Sequence, residues 1–435
     1  MTEYKPEGNK GISHSHGLLA LSPIVVFLLM YVAVSLAIGD FYKMPLSIAF
    51  IVAAAWAMVT TTGVKLQERI NIFSQGAANA NIIYMIWIFI LAGAFSGLAK
   101  GIGAVDATVN LTLNSLPQWF VLPGLFLVTC FISMSIGTSV GTIVALTPFA
   151  CQLAEAGDGN VAFYVSVVLS GSFFGDNLSF ISDTTIAATR SQGVKMSDKF
   201  RTNLRIALPA ALIALAVYFV QGESSTMATV PGGDRTWWLV LPYLVVIATA
   251  ALGVNVLVVL SLGILCCMTI AFFLQGDAIM TMCTLMGSGI TGMSDLIIVT
   301  LLAAGLLKLI SHNGGITYII EQLTNHVVRG SRGAQVCVSV LVGLVNVCTA
   351  NNTIAILTVG EISRKISSEF GVEPRKTASL LDTSACVVQC MIPYGAQVLL
   401  AASLSQVAPV AFLPYLYYTW ALTAMIILSI VIKRR

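Results

Sequence analysis

The sequence predicts an all-α polytopic membrane protein made of two inverted-topology repeats. The prediction includes about 10 spanning helices, two hairpin-like re-entrant segments and discontinuous helices. The 435 residues are 57% hydrophobic and only 9% charged, and a soluble chain of this length could not bury so much apolar surface. Apolar runs recur from residues 18–37 to residues 412–432. Short polar connections separate them, a pattern typical of spanning helices rather than of a β-barrel.

The basic residues predict the orientation of these helices. Most of the 22 Lys and Arg residues fall in alternate connections, such as residues 65–69, 190–205 and 364–376. The positive-inside bias therefore predicts that both termini lie in the cytoplasm. We expect residues 190–205 to lie at the inner surface and contact anionic lipid. The net charge of +3 is too small to indicate a nucleic-acid partner.

The two halves of the chain resemble each other. LAGAFSGLAKGIG at residues 91–103 parallels AAGLLKLISHNGG at 303–315, and SVGTIVALTP at 139–148 parallels ANNTIAILTV at 350–359. The two pairs are offset by 212 and 211 positions, which indicates a tandem duplication of about 210 residues. The predicted divisions are a cytoplasmic tail, residues 1–17, a first repeat, 18–221, a periplasmic connection, 222–236, and a second repeat, 237–435.

The charges after corresponding segments predict that the repeats are inverted. The first half ends its polar region with the basic connection at residues 190–205, whereas the matching part of the second half, near residues 405–409, carries no charge. One connection is then inside and the other outside. Inverted repeats are the architecture of many secondary transporters.

Four polar segments interrupt the apolar pattern, and the repeat pairs them. An ionisable side chain in hydrocarbon costs about 2.5 to 3.5 kcal/mol even on insertion scales, so it indicates a function. In each half we expect a hairpin tip and a discontinuous helix that meet near the midplane. The segments are SIGTSVGT (residues 135–142), GDNLSFISDTT (175–185), NVCTANNT (346–353) and LLDTSACVVQCMIPYGAQ (380–397).

These segments are rich in the oxygen ligands that a hard cation prefers. They predict a sodium site at Asp176, Thr142 and Thr353, with Ser139, Asn351 and Asn352 as further ligands for an ion or a substrate. Interhelical packing explains any single hydroxyl in SIGTSVGT equally well. Asp183 is a further candidate because it is a carboxylate. Asp382 is either a proton carrier or an anchor satisfied by the neighbouring hydroxyls of Thr383 and Ser384.

The segment GSFFGDNLSFISDTT resembles the NhaC-type sodium/proton antiporter family of the ion-transporter group. GTSVGT and TANNT extend this resemblance over most of the chain. Asn177 and Phe180 stand where the antiporters commonly carry a basic residue and a proline. Similar family members transport malate and lactate or amino acids, and Phe180 would help to shape a pocket for such a substrate. The resemblance implies that the ion or substrate site includes Asp176, Asn177, Ser179, Asp183, Thr184 and Thr185.

The predicted function is sodium-coupled secondary transport, and Na⁺/H⁺ antiport is the leading hypothesis. In that mechanism Asp176 alternates between Na⁺ and H⁺. The alternative is Na⁺- or H⁺-driven symport of an amino acid or small organic anion held near Asn351, Asn352 and Thr353. We expect no enzyme, because no HExxH, GxSxG or comparable motif occurs in the apolar segments, and no cofactor besides the coupling ion. Related transporters suggest a homodimer.

Overall fold

The computed structural model describes residues 14–38, 45–180, 182–223, 237–252, 254–275, 278–327 and 330–432, and these segments form helices joined by short turns. The α-helices are α1 (His14–Ile38), α2 (Leu46–Thr60), α3 (Leu66–Ala77), α4 (Ala80–Gly101), α5 (Ala104–Ser115), α6 (Gln118–Ile136), α7 (Ser139–Ala156), α8 (Val161–Leu178), α9 (Asp183–Gln192), α10 (Met196–Glu223), α11 (Leu241–Ala251), α12 (Val256–Ile270), α13 (Ile279–Gly292), α14 (Ser294–His312), α15 (Gly315–Val327), α16 (Gly330–Thr349), α17 (Asn352–Glu369), α18 (Pro374–Met391), α19 (Ala396–Ser405) and α20 (Tyr417–Val431). Short 3₁₀ helices span Trp237–Val240 and Pro409–Tyr415, and Ala271–Gln275 forms a π-helical turn.

The helices have the lengths and surfaces of a membrane protein. Ten helical segments of the described chain are long and apolar enough to cross a membrane, or eleven if the bent pair Pro409–Tyr415 and Tyr417–Val431 forms one span. Leu29, Val220 and Phe273 are among the large apolar side chains exposed on the outside, 64%, 68% and 75% respectively. Such a surface suits contact with lipid. The prediction of an all-α membrane protein with about ten spans is therefore confirmed.

Each predicted polar segment coincides with an interruption between two helices. In the first half, α6 gives way to α7 at residues 137–138, and α8 gives way to α9 at residues 179–182. In the second half, α16 gives way to α17 at residues 350–351, and α18 to α19 at residues 392–395. These four interruptions pack together, because α8 contacts α6, α7 and α18, while α17 contacts α9, α16 and α18. The re-entrant path of the segments stays a prediction.

Glycine contacts between the halves are reciprocal. Helix α4 packs closely on α13, where a methyl group added at Gly93 would lie 2.5 Å from the Gly289 carbonyl oxygen. Helix α3 packs on α14, where a methyl group added at Gly76 would lie 3.0 Å from the Cα of Gly305. Gly93 and Gly305 are the positions that the sequence similarity pairs. Two halves related by a two-fold axis would make such reciprocal contacts, and the inverted repeat stays a prediction that they support.

The predicted divisions of the chain lie close to helix ends. Helix α1 begins at His14, inside the predicted tail, and α10 continues to Glu223, beyond the predicted end of the first repeat at residue 221. Residues 1–13 of the tail, residues 224–236 of the connection and the C-terminal residues 433–435 lie outside the described residues.

The close contact of α4 with α13 predicts a strong effect of one added methyl group. Gly289→Ala places a methyl group against the backbone carbonyl of Gly93, so we expect it to destabilise the fold by about 1–3 kcal/mol. Gly287→Ala is the matched control, since no atom lies within 4 Å of a methyl group there. Melting temperatures of the purified variants in detergent measure the difference. Equal melting temperatures would contradict the close α4–α13 contact.

Candidate functional site

Asp176 meets the start of a second helix at the first interruption. Helix α6 ends at Ile136, and Gly137 then adopts a left-handed conformation with φ +73°. Helix α7 begins at Ser139, whose backbone N–H donates to Oδ1 of Asp176 at 3.1 Å. A carboxylate at a helix N-terminus accepts from an N–H group that has no partner within the helix. Asp176 lies in the last turn of α8 and is only 4% exposed.

Hydroxyl groups satisfy the backbone where α8 is interrupted. The Ser179 hydroxyl donates to the Met134 carbonyl oxygen at 2.9 Å, and the Thr185 hydroxyl donates to the Ser179 carbonyl oxygen at 2.9 Å. The Asn177 amide donates to the Tyr418 hydroxyl oxygen at 2.9 Å. These three side chains therefore bind to neighbouring helices, and none of them lines the cavity described below.

The second-half interruption has the same geometry as the first. Ala350 has φ +48°, and Asn351 caps α17 by accepting from the Ile354 N–H at 3.0 Å. The starts of α7 and α17 are 213 positions apart, not the 211 by which the sequence motifs pair. Thr142 consequently lies one turn inside α7, where its hydroxyl donates to the Thr138 carbonyl oxygen. Thr353 lies in the first turn of α17, so the two threonines that the motifs pair do not occupy equivalent positions in their helices.

The interruptions meet at a cavity of about 110 Å³, which we call the central cavity. The structure brings seven of the predicted site residues to its lining, together with six further polar residues. The predicted residues are Ser139, Asp176, Asp183, Thr184, Asn351, Asn352 and Thr353, and the further ones are Asn81, Tyr84, Thr138, Ser182, Gln389 and Gln397. Thr142, Asn177, Ser179, Thr185 and Asp382 are not on the lining.

The charges of the central cavity have one sign. Among the described residues its lining includes two carboxylates, Asp176 and Asp183, and no lysine or arginine. The buried Asp176 and the exposed Asp183 are separated by the interruption between α8 and α9. The other polar groups are hydroxyls and amides, so the cavity offers oxygen ligands with negative charge. This arrangement can hold a hard monovalent cation.

Two glutamine side chains join the halves beside this cavity. Gln389 of α18 donates to the Ala350 carbonyl oxygen at 3.0 Å and to the Gln397 amide oxygen at 2.8 Å. Gln397 of α19 donates in turn to the Ser139 hydroxyl oxygen at 3.2 Å. A hydrogen-bond chain thus runs from the second-half interruption to the residue that binds Asp176. The sequence predicts a polar segment at residues 380–397, but an uncharged amide within it has no feature that predicts this role.

Lys199 is buried, contrary to the expectation that residues 190–205 contact lipid throughout. Its side chain is 1% exposed, and its ammonium group lies 2.7 Å from Oδ2 of Asp382. The ammonium group also donates to the Asn177 carbonyl oxygen at 3.0 Å and to the Thr185 hydroxyl at 2.6 Å. Asn203, one turn later, donates to the same carbonyl and to Asp382. Arg190, Lys195, Arg201 and Arg205 are exposed, as expected.

Asp382 has a stronger partner than the hydroxyl groups that the sequence suggested. Lys199 and Asn203 bind its carboxylate, whereas the Thr383 hydroxyl donates to the Ser379 carbonyl oxygen one turn back. Hydroxyls within helices commonly bind that carbonyl, and a neutral hydroxyl does not compensate the charge of a buried carboxylate as the Lys199 ammonium group does. The periodicity of α10 contained a signal for this pair, because Lys199 and Asn203 share a helical face with buried Ile206 and Ala210.

Phe180 does not shape the central cavity as the resemblance suggested. Its side chain is 47% exposed and stacks on Phe200, with ring centroids 4.6 Å apart. The interruption after α8 directs this aromatic ring toward the N-terminal part of α10 and away from the polar lining.

The Lys199–Asp382 pair predicts a large loss of stability when either charge is removed alone. Lys199→Met or Asp382→Asn leaves the other group buried and uncompensated, so each should cost about 3–5 kcal/mol of unfolding free energy. The double variant should recover part of this loss. Melting temperatures in detergent test the prediction, with Lys195→Met at an exposed position as the control. If both single variants have the melting temperature of the wild-type protein, the pair contributes no stability.

Comparison with known proteins identifies the chain. The model of the Na⁺/H⁺ antiporter family matches residues 12–222 and 228–433. An uncharacterized Na⁺/H⁺ antiporter of Haemophilus influenzae is 24% identical, with 93% of each chain covered. The malate-2H⁺/Na⁺-lactate antiporter of Bacillus subtilis is 22% identical over 94% of each. The Na⁺/H⁺ antiporter NhaC of Alkalihalophilus pseudofirmus is 25% identical over 78% of this chain and 80% of the relative. The chain is a transporter rather than an enzyme, and it belongs to the Na⁺/H⁺ antiporter family.

Proposed function

We propose that this protein exchanges Na⁺ for H⁺ across the bacterial inner membrane and that both ions compete for Asp176. The observation that carries the proposal is the charge of the central cavity, which has two carboxylates and no basic side chain on its lining. A small cavity with this charge attracts a cation and repels an anion. The family and its NhaC relatives support sodium-coupled antiport in general.

The proposed sodium site combines residues from both halves. Asp176 of α8 supplies the carboxylate, and Thr353 of α17 supplies a hydroxyl on the same lining. Asn351 and Thr184 lie on that lining too and offer further oxygen atoms. Thr142 is not part of the proposed site because it does not line the central cavity.

Burial supplies the reason for competition between the two ions. Asp176 is almost completely buried, and the Ser139 N–H is a neutral donor. A buried carboxylate with no compensating charge is costly, so the group should hold either Na⁺ or a proton. Protonation from one side then releases Na⁺. Asp183 is exposed and would attract cations to the cavity without being buried itself.

The transport cycle that we propose uses the inverted repeats. The reciprocal glycine contacts of α4 with α13 and of α3 with α14 support this relation. The cation would bind where the interrupted helices of the two halves meet, and movement of one part against the other would open each side in turn. Cytoplasmic termini and a homodimer remain predictions within this scheme.

Exchange by the purified protein in liposomes tests the main proposal. An imposed Na⁺ gradient should move protons, which a pH-sensitive dye inside the liposomes reports. Asp176→Asn should reduce this flux at least tenfold, because an amide side chain neither binds a proton near neutral pH nor offers a negative charge to Na⁺. Glu361→Gln is the matched control, since that carboxylate is exposed and pairs with Lys365 away from the cavity. Wild-type flux in Asp176→Asn would contradict the proposal.

A second cavity favours the alternative of organic substrate transport. This cavity, which we call the Lys308 cavity, has a volume of about 240 Å³ and shares Met85, Asn351 and Ala396 with the central cavity. Lys308 is the charged side chain of its lining, and among the described residues no carboxylate pairs with it. An ammonium group opposes Na⁺ binding there, whereas a small organic carboxylate would be attracted. One relative is named as an antiporter of malate and lactate.

Malate binding tests this second candidate without a gradient. If an organic carboxylate occupies the Lys308 cavity, L-malate should raise the melting temperature of the detergent-solubilised protein. Lys308→Gln should weaken the apparent affinity about 10- to 100-fold, because a charge-assisted hydrogen bond is worth about 1.5–3 kcal/mol. Lys308→Arg keeps the charge and is the control. No stabilisation of the wild-type protein, or equal stabilisation of Lys308→Gln, would leave Na⁺/H⁺ exchange as the remaining candidate.

A further inference from the structure

A large cleft with several basic side chains opens where four helices meet at one end of the bundle. We call it the basic cleft; its volume is about 680 Å³. Helices α10, α16, α18 and α20 line it, and it shares no residue with the two cavities described above. Its charged side chains are Arg205, Arg332, Glu373, Arg375 and Lys376.

The positive charges of the basic cleft are only partly compensated. Arg375 forms an ion pair with Glu373 at 2.5 Å. It also interacts electrostatically with Asp198 of α10. The hydrogen bond from Arg375 holds the pKa of the Glu373 carboxyl below its ordinary value, so Glu373 stays ionised. Among the described residues no carboxylate pairs with Arg205 or Arg332. The three arginines exceed Glu373, the carboxylate of the lining, and the nearby Asp198, which leaves an excess of positive charge that an anion would compensate.

The part of the lining that α20 provides is largely apolar. Met425, Leu428, Ile430 and Ile432, at the C-terminal end of the described chain, line this side. Leu428 is 46% exposed and Ile432 is 53% exposed, so both remain available for contact. Lys376 donates to the Ser429 hydroxyl at 2.7 Å and thereby connects the basic side with α20. A soluble anion would gain nothing from the apolar wall, whereas an amphiphilic anion would bury its hydrocarbon against it.

The cleft lies near the ends of the helices that line it. It is lined by the first turns of α16 and α18, by the second and third turns of α10 and by the last turns of α20. The distribution of basic residues predicts that this end of the bundle faces the cytoplasm. Basic pockets between helices at a membrane surface recognise phosphate headgroups. We infer that the basic cleft binds the phosphate group of an anionic phospholipid between Arg205 and Arg332, with an acyl chain along α20.

Lipid titration of the purified full-length protein tests this inference independently of transport. Dioleoylphosphatidylglycerol added to detergent micelles should raise the melting temperature, and native mass spectrometry should show one retained lipid. Dioleoylphosphatidylcholine should bind at least tenfold more weakly, because its headgroup has no net negative charge. Inorganic phosphate is the third probe. Equal stabilisation by phosphate alone would assign the cleft to a soluble phosphate and overturn the lipid assignment.

Matched variants locate the binding to the basic cleft. The double variant Arg205→Gln/Arg332→Gln should bind phosphatidylglycerol at least tenfold more weakly than the wild-type protein. Arg364→Gln/Lys365→Gln removes the same charge from exposed positions outside the cleft and should retain wild-type affinity. If the first double variant does not fold, Arg332→Gln alone should show a several-fold loss. Wild-type affinity in the cleft variants, or an equal loss in the control, would overturn the inference.

Discussion

Helix α8 is interrupted after Leu178 inside a tightly packed bundle, and the carbonyl groups at its end must find partners that are not water. The Asn177 carbonyl oxygen accepts from Lys199 and Asn203 of α10, and the Ser179 carbonyl oxygen accepts from Thr185. Without such partners each buried carbonyl would cost free energy comparable to a lost hydrogen bond. The position of α10 against α8 and α18 is thus tied to the interruption that creates the central cavity.

The same ammonium group gives the buried carboxylates different environments. Lys199 compensates the charge of Asp382, and that carboxylate is away from the central cavity. Asp176 has a backbone N–H as its donor and lies on the lining. An ion pair that is satisfied internally serves structure, whereas a carboxylate with a neutral donor is available to a cation. Both residues are aspartates in apolar helices. Their environments differ because Asp382 of α18 lies against Lys199 of α10.

The three cavities have distinct charges because they lie at different contacts between helices. The central cavity is acidic, the Lys308 cavity has a single ammonium group, and the basic cleft is rich in arginine. The first two share Asn351, so an organic anion in one would be close to a cation in the other and would be attracted to it. The basic cleft shares no residue with either lining. The proposed ion site and the proposed lipid site therefore lie on separate surfaces of one bundle.

The amide chain through Gln389 and Gln397 connects the interruptions of the two halves. It begins at the carbonyl of Ala350, which has a positive φ, and it ends at the Ser139 hydroxyl beside Asp176. A residue other than glycine is costly in this conformation, so the surrounding contacts must hold it in place. A conformational change at the second-half interruption would consequently alter the hydrogen bonds that lead to the Asp176 carboxylate.

The sequence by itself determined the membrane class, about ten spans, the four interruptions and seven residues of the central cavity. It did so because a helix in lipid must satisfy its own backbone, so apolar length and polar breaks are local properties of the chain. Only the tertiary structure decided that Lys199 pairs with Asp382, that Gln389 and Gln397 join the halves, and that Asn177 and Ser179 bind neighbouring helices. These contacts join residues far apart in sequence. Their geometry depends on where each helix ends and which helix packs beside it, and no local pattern contains that information.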